Sequence, residues 1–215
     1  MHVAIVEPHY DDAWLSLGAT ILAHPHVRFT IVTVSKDDVI NPIDRTRLLA
    51  ERLENVTTLA LELRDLGWKR DEALARARKA GKQDLVSLFL HESALASLDE
   101  VAGRIETIGA DRVALPLGLF HPMHEVVAAL PVRGPVLRYL EYPYRFYEDV
   151  RPALEARSSG LSAWRLDASP FAKMKLRTFE EVYATQRFVL ELAEVPLAAA
   201  DEILLAGDPR MLPPW

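Results

Sequence analysis

Two short segments carry the residue types that hydrolytic chemistry needs. Pro8-His9-Tyr10-Asp11-Asp12 and His121-Pro122-Met123-His124 each follow an apolar run and open a helical pattern. His9 and Asp12 are three apart, as are His121 and His124, and at the first turn of a helix that spacing sets both side chains on one face. Open α/β sheets bind ligands at this strand-to-helix edge, so if the two preceding strands are neighbours the segments meet across one crevice. Two imidazoles and one carboxylate then make a hydrolytic zinc site with a position left for water. Asp11 would lie beside that water as general base, and His121 across from it to stabilise an oxyanion. The residue types alone leave open which imidazole binds the metal. Zn²⁺ against Asp11 and Asp12 is neutral, so no bare charge is buried. Each segment also has a structural reading: adjacent aspartates cap helices, and Pro122 suits the first helical position. The recurrence of both segments in the same strand-to-helix position favours function.

The elements that must position these residues follow from hydrophobic period and turn signals. VAIV (3–6) reads as a buried strand, followed by a helix with Trp14, Leu17, Ile21 and Leu22 on one face, closing near His24-Pro25. FTIVTV (29–34) is a second strand, and Ser35 to Pro42 a polar loop. A long helix is predicted from Asp44 to Leu66, stopping at Gly67, and helical pieces over 70–108 broken near Gly81. RVALPL (112–117) is a third strand, Pro122 opens a helix through about Ala129, and VLRYLEY (136–142) is a fourth strand. SAWRL (162–166) is a candidate fifth strand, 171–194 a long final helix, and EILLAG (202–207) a strand or helix. Strands separated by helices imply right-handed crossovers and a mostly parallel sheet: a single α/β, Rossmann-like domain over 1–215, flanked by helices.

Composition excludes several classes. The formal net charge of −6 argues against a nucleic-acid backbone binder. No run approaches the ~18 apolar residues of a membrane helix, and MHVAIVEPHYDD lacks the basic start of a secretory signal. With no cysteine, a cytoplasmic protein is expected and any metal must be held by His, Asp and Glu. The first strand-to-helix turn lacks G-x-G-x-x-G, which rejects a dinucleotide site. A homo-oligomer is compatible with the sequence.

The same residues resemble a known family. Pro8-His9-Tyr10-Asp11-Asp12-Ala13-Trp14-Leu15-Ser16-Leu17-Gly18 is similar to the first motif of PIG-L/LmbE-like N-acetylglucosaminyl deacetylases, in the branch reading P-H-x-D-D-A-x-x-S-x-G. Leu115-Pro116-Leu117-Gly118 with His121-Pro122-x-His124 resembles the second, P-x-G followed by H-P-D-H. Tyr139 to Tyr144 (YLEYPY), and Lys173 or Lys175 with Tyr183-Ala184-Thr185-Gln186, echo later motifs. The resemblance implies a zinc-dependent hydrolase that removes an N-acetyl or other N-acyl group from a small amino-sugar-like substrate. By position, His9, Asp12 and His124 match the zinc ligands and Asp11 the general base. His121 matches the histidine that, protonated, stabilises the oxyanion. Fe²⁺ also suits a His₂Asp site. Met123 departs from the motif, standing where the family has Asp, which would tend to lower the pKa of His121. It is the one support for the alternative, a non-catalytic metal- or ligand-binding relative acting as sensor or partner subunit. Asp71, Tyr142 and Tyr144 are candidate substrate-binding residues, Trp68 and Trp164 are read as packing, and His24-Pro25-His26 as a surface loop.

Overall fold

The computed structural model describes residues 1–36, 48–184, 187–191 and 195–215. Strands β1 (His2–Glu7) and β2 (Arg28–Lys36) are buried almost end to end. Alternate side chains of a strand leave on opposite faces, and here both faces are covered. Val3, Ile5, Phe29 and Ile31 join one apolar cluster with Trp14, Leu17 and Phe179. Ala4, Val6, Val32 and Val34 join a second with Phe89, Val126 and Val127. Double burial is why these strands read as continuous apolar runs.

The sheet is completed by β3 (Val56–Arg64), β4 (Arg112–Pro116), β5 (Val136–Tyr139), β6 (Ser162–Leu166) and β7 (Glu202–Ala206), in the order β3-β2-β1-β4-β5-β7-β6. β1 pairs in parallel with β2 and β4, β2 with β3, and β4 with β5; β7 enters antiparallel between β5 and β6. This is the mostly parallel α/β sheet that the sequence implies. Helices α1 (Asp12–Ala23) and α7 (Ala172–Val182) contribute to the first cluster. Helices α2 (Arg70–Lys79), α3 (Leu85–Glu92), α4 (Leu98–Glu106) and α5 (Pro122–Ala128) contribute to the second. The strand order reverses between β1 and β4, which opens a crevice at their carboxyl ends.

The long helix predicted to Leu66 is not there. Residues 48–50 are helical, 44–47 lie outside the described residues, and 56–64 form the edge strand β3. Leu59, Ala60, Leu61, Glu62 and Leu63 are good helix formers, which is what misleads. Pairing along β2 overrides that propensity, in register from Phe29↔Val56 to Thr33↔Ala60. Glu62 then turns left-handed (φ 55°), and the pairing resumes one residue late at Ser35↔Leu63, a bulge. The long final helix is also divided, into α7 and a short α8 (Arg187–Glu191), with 185–186 and 192–194 outside the described residues. β5 stops at Tyr139 because the chain turns ahead of Pro143, which has no amide to donate to a ladder. A further helix, α6 (Arg151–Ser158), has no counterpart among the predicted elements. Among the described residues no helix is long and apolar enough to cross a membrane.

Candidate metal centre and active site

β1 and β4 deliver the two segments to the reversal point. His9 stands two residues beyond β1, and α1 begins at Asp12. The helix start is capped from behind: Glu7 Oε2 accepts from the Ala13 amide (2.8 Å), and Glu7 Oε1 from the Thr33 hydroxyl (2.7 Å). Asp11, in the N-cap position, makes no capping bond with its side chain. The capping reading therefore does not account for Asp11, and its carboxylate is left for the crevice.

The second segment is held by Glu141, fully buried after β5. Its carboxylate accepts from the amides of Leu117 (3.1 Å), Gly118 (2.8 Å) and Leu119 (2.6 Å). Gly118 has φ +91°, and a Cβ there would lie 2.7 Å from both Ala128 Cβ and Arg157 Nη1. Phe120 is also left-handed (φ 61°) and feeds His121, the N-cap of α5, with Pro122 opening the helix. His121 Nδ1 accepts from the Met123 amide at 3.2 Å.

The convergence is close. His9 and His121 meet edge to face with centroids 4.5 Å apart, and the ligand atoms of His9, His121 and His124 lie within 4.8 Å of one another. Asp12 Oδ2 is 3.2 Å from His9 Nδ1 and 3.2 Å from His124 Nε2, and also accepts from the His9 amide (2.9 Å). Donors ~2.0–2.1 Å from a tetrahedral zinc stand roughly 3.3 Å apart, and Asp12 Oδ2 stands at that spacing from both His9 Nδ1 and His124 Nε2. His124 Nε2 is buried and makes no hydrogen bond, because Asp12 lies off its donor direction. A buried nitrogen with no hydrogen-bond partner, 3.2 Å from a carboxylate oxygen, fits a metal. His121 fits less well as a ligand. With Nδ1 accepting an amide, the one proton of the neutral ring sits on Nε2, which then cannot bind a cation.

Behind each candidate histidine ligand stands a carboxylate, as metal-binding imidazoles require. His124 Nδ1 is 3.4 Å from Glu141 Oε1, and His9 Nε2 is 3.4 Å from Asp65 Oδ1. No sequence signal singles out Asp65, because the residues before it predict a helix rather than β3. Read as a strand, 56–64 would have placed it at the carboxyl edge, where His9 and His121 were found.

Burial and the charge of Asp12 push Asp11 up to about 7. Burial would also raise Asp12, but His124 and His9 outweigh it and hold Asp12 well below the carboxylate range. Burial works against Asp65 in the same way, and the hydrogen bond and charge of His9 overcome it, so Asp65 is also lowered. His124 is raised to about 9, burial being outweighed by Asp12 and Glu141. His121 goes the other way: burial, then His9 and His124, push it well below its ordinary value. The resemblance implies a protonated His121; this environment favours the neutral ring.

Of the remaining candidates, Tyr144 joins the site, with its ring edge-on to His124 (5.0 Å) and stacked on Phe120 (5.3 Å). Tyr142 does not: it is buried in the first cluster, with its hydroxyl donating to Val195 O (2.9 Å). Asp71 lies in the first turn of α2, in a 660 Å³ cleft shared with Trp68, Phe120 and Asp149 whose lining includes none of the three histidines. Trp68 is 63% exposed, with Lys69 over its ring, and is not a packing residue. Met123 is fully buried in the second cluster, a core position for which an aspartate would be costly. Lys175, not the exposed Lys173, is the buried lysine of α7. Thr185 and Gln186 lie outside the described residues.

No family model and no curated protein matches the sequence. Solved structures do match. The zinc-inhibited form of teicoplanin deacetylase Orf2 aligns with TM-score 0.60 at 17% identity, over 95% of this chain and 97% of that one. The N,N'-diacetylchitobiose deacetylase of Pyrococcus horikoshii aligns with TM-score 0.53 at 15% identity, over 94% and 83%. The chain shares the fold of these two deacetylases. This deacetylase fold is not confined to one reaction, because a 4-carboxy-2-hydroxymuconate hydratase from Pseudomonas putida shares it at TM-score 0.50 and 11% identity, over 95% of each chain. Within such a fold, activity has to be argued from the residues in the crevice.

Proposed function

We propose that the protein is a metal-dependent N-deacetylase acting on a small N-acylated amino sugar. The observation that carries this reading is the orphaned His124 Nε2, 3.2 Å from Asp12 Oδ2. His9, Asp12 and His124 would hold a divalent cation, zinc in this proposal. When bound there, it would supply Lewis-acid chemistry to an amide carbonyl and to the water that attacks it.

The chain's own residues complete the reaction. Asp11, raised to about 7, is matched to accept the proton of the attacking water near neutral pH. With Nδ1 accepting from the Met123 amide, His121 keeps its proton on Nε2 and would serve as a neutral donor for the carbonyl oxygen as it gains charge. Asp11 then returns its proton to the departing nitrogen, the carbon–nitrogen bond breaks, and acetate and a free amine result. Tyr144, pushed well above its ordinary value by burial and by Asp12 and Asp11, keeps its phenolic proton and walls the crevice beside His124.

The test is acetate release from N-acetylglucosamine and N,N'-diacetylchitobiose by metal-free protein, with zinc or Fe²⁺ restored. The expected outcome is metal-dependent release. Stoichiometric zinc without release from a broad panel of N-acyl amines would favour the non-catalytic reading.

A further inference from the structure

His9 has two ring nitrogens with different neighbours. Nδ1 lies 3.2 Å from Asp12 Oδ2, and Nε2 lies 3.4 Å from Asp65 Oδ1. A neutral imidazole carries one proton, and an ionised carboxylate only accepts. Asp12 and Asp65 would each accept a proton from the ring, so with the metal proposed above in place Nδ1, beside Asp12, gives up its proton and the one kept is on Nε2, facing Asp65. We propose that Asp65 is a positioning residue that fixes the tautomer and ring orientation of His9, making Nδ1 its metal-facing atom; this rests on the metal centre proposed above. His124 mirrors the arrangement. Its Nδ1 faces Glu141, and its Nε2 has no hydrogen-bond partner. One ligand thus presents Nδ1 and the other Nε2, each with a carboxylate behind it.

Asp65 reaches His9 because of how β3 ends. The left-handed Glu62 inserts one residue, so Leu63 and Arg64 pair one position late against Ser35 and Lys36. A one-residue slip exchanges the faces of a strand. Without the bulge, the alternation would carry the Asp65 side chain away from His9. The side chain is 17% exposed, so its contact with His9 is largely shielded from water.

The experiment measures zinc affinity by competition with a chromophoric chelator for the wild type, Asp65→Ala and Asp65→Asn, alone and with His9→Ala. It also records the ¹⁵N shifts of the His9 ring in zinc-loaded wild type. Asp65→Ala should weaken zinc about 10- to 100-fold. Asp65→Asn should cost less, because its amide oxygen still accepts from Nε2–H. In the His9→Ala background Asp65→Ala should add nothing, and the wild-type shifts should place zinc on Nδ1. Zinc on Nε2, or Asp65→Ala binding as tightly as wild type, overturns the proposal. If Asp65→Ala does not fold, the wild-type shifts decide alone. A wild type that binds no zinc, or binds it equally well as His124→Ala, overturns the metal centre itself and this inference with it, an outcome distinct from the other two.

Discussion

Helix α1 serves two buried polar clusters of opposite design. Its first turn belongs to the crevice. Its middle turns meet Lys175 and Glu202, both almost wholly buried. There Lys175 Nζ donates to Leu15 O (2.8 Å) and to Glu202 Oε1 (2.6 Å). Glu202 in turn accepts from the amides of Ala19 (2.8 Å) and Thr20 (2.6 Å) and from the Thr20 hydroxyl (2.7 Å). Both charged groups of that cluster are hydrogen-bonded to protein, and it fastens β7 and α7 to α1. The crevice cluster differs. His124 Nε2 has no hydrogen-bond partner, and the Asp11 side chain makes no capping bond. Buried polar groups without partners cost free energy. The lesson is that chemistry is sought where a buried network fails to close, not where it holds the most charge.

The comparison can be broken most sharply in the open cluster. His124→Ala should lose zinc and all metal-dependent turnover. Asp11→Asn should keep zinc and lose on the order of 10²- to 10⁴-fold in turnover. Metal analysis beside acetate release checks both, and full zinc in folded His124→Ala would sink the assignment. Neither variant removes a partner from the closed cluster, so neither should unfold the protein.

The closed cluster should respond in stability. Glu202→Gln leaves the Lys175 ammonium buried against an amide and should cost about 3–5 kcal/mol in urea unfolding. Zinc affinity, measured well below the unfolding midpoint, should stay within about threefold. A large loss of zinc with little loss of stability would mean that the two clusters are not separate.

The smallest effect is a pH dependence with a sign. In metal-free protein His124 sits at about 9, above its ordinary 6.5. A raised histidine contributes stability fully present below 6.5, which is lost as pH rises through about 9. Zinc needs the unprotonated ring, so its binding should tighten over that interval. Melting temperature against pH, with and without zinc, should decline on the alkaline side only in the metal-free protein. Parallel curves would remove His124 from the ligand set.

How much of this could be read from residues varies along the chain. VAIV before Pro8-His9-Tyr10-Asp11-Asp12 is legible because burial on both faces leaves an unbroken apolar run and the turn carries its chemistry in adjacent positions. RVALPL before His121 is legible for the same reason. β3 is not, because Leu, Ala and Glu favour helix and only its partner β2 decides otherwise. Asp65 is hidden for the same reason. Lys175 and Glu202 are 27 residues apart, on elements that meet only in the folded chain, and no spacing links them. Glu141 sat within a quoted motif, yet its role depends on three amides more than twenty residues earlier.

Glu141 has a practical consequence for anyone wishing to redirect the crevice toward other acyl groups. The same carboxylate shapes the 117–119 turn and backs the ring of His124. Altering it to widen the entrance would also disturb the orientation of a candidate ligand. Phe120 and Tyr144 are the sounder places to vary, since they line the approach without sharing that double duty.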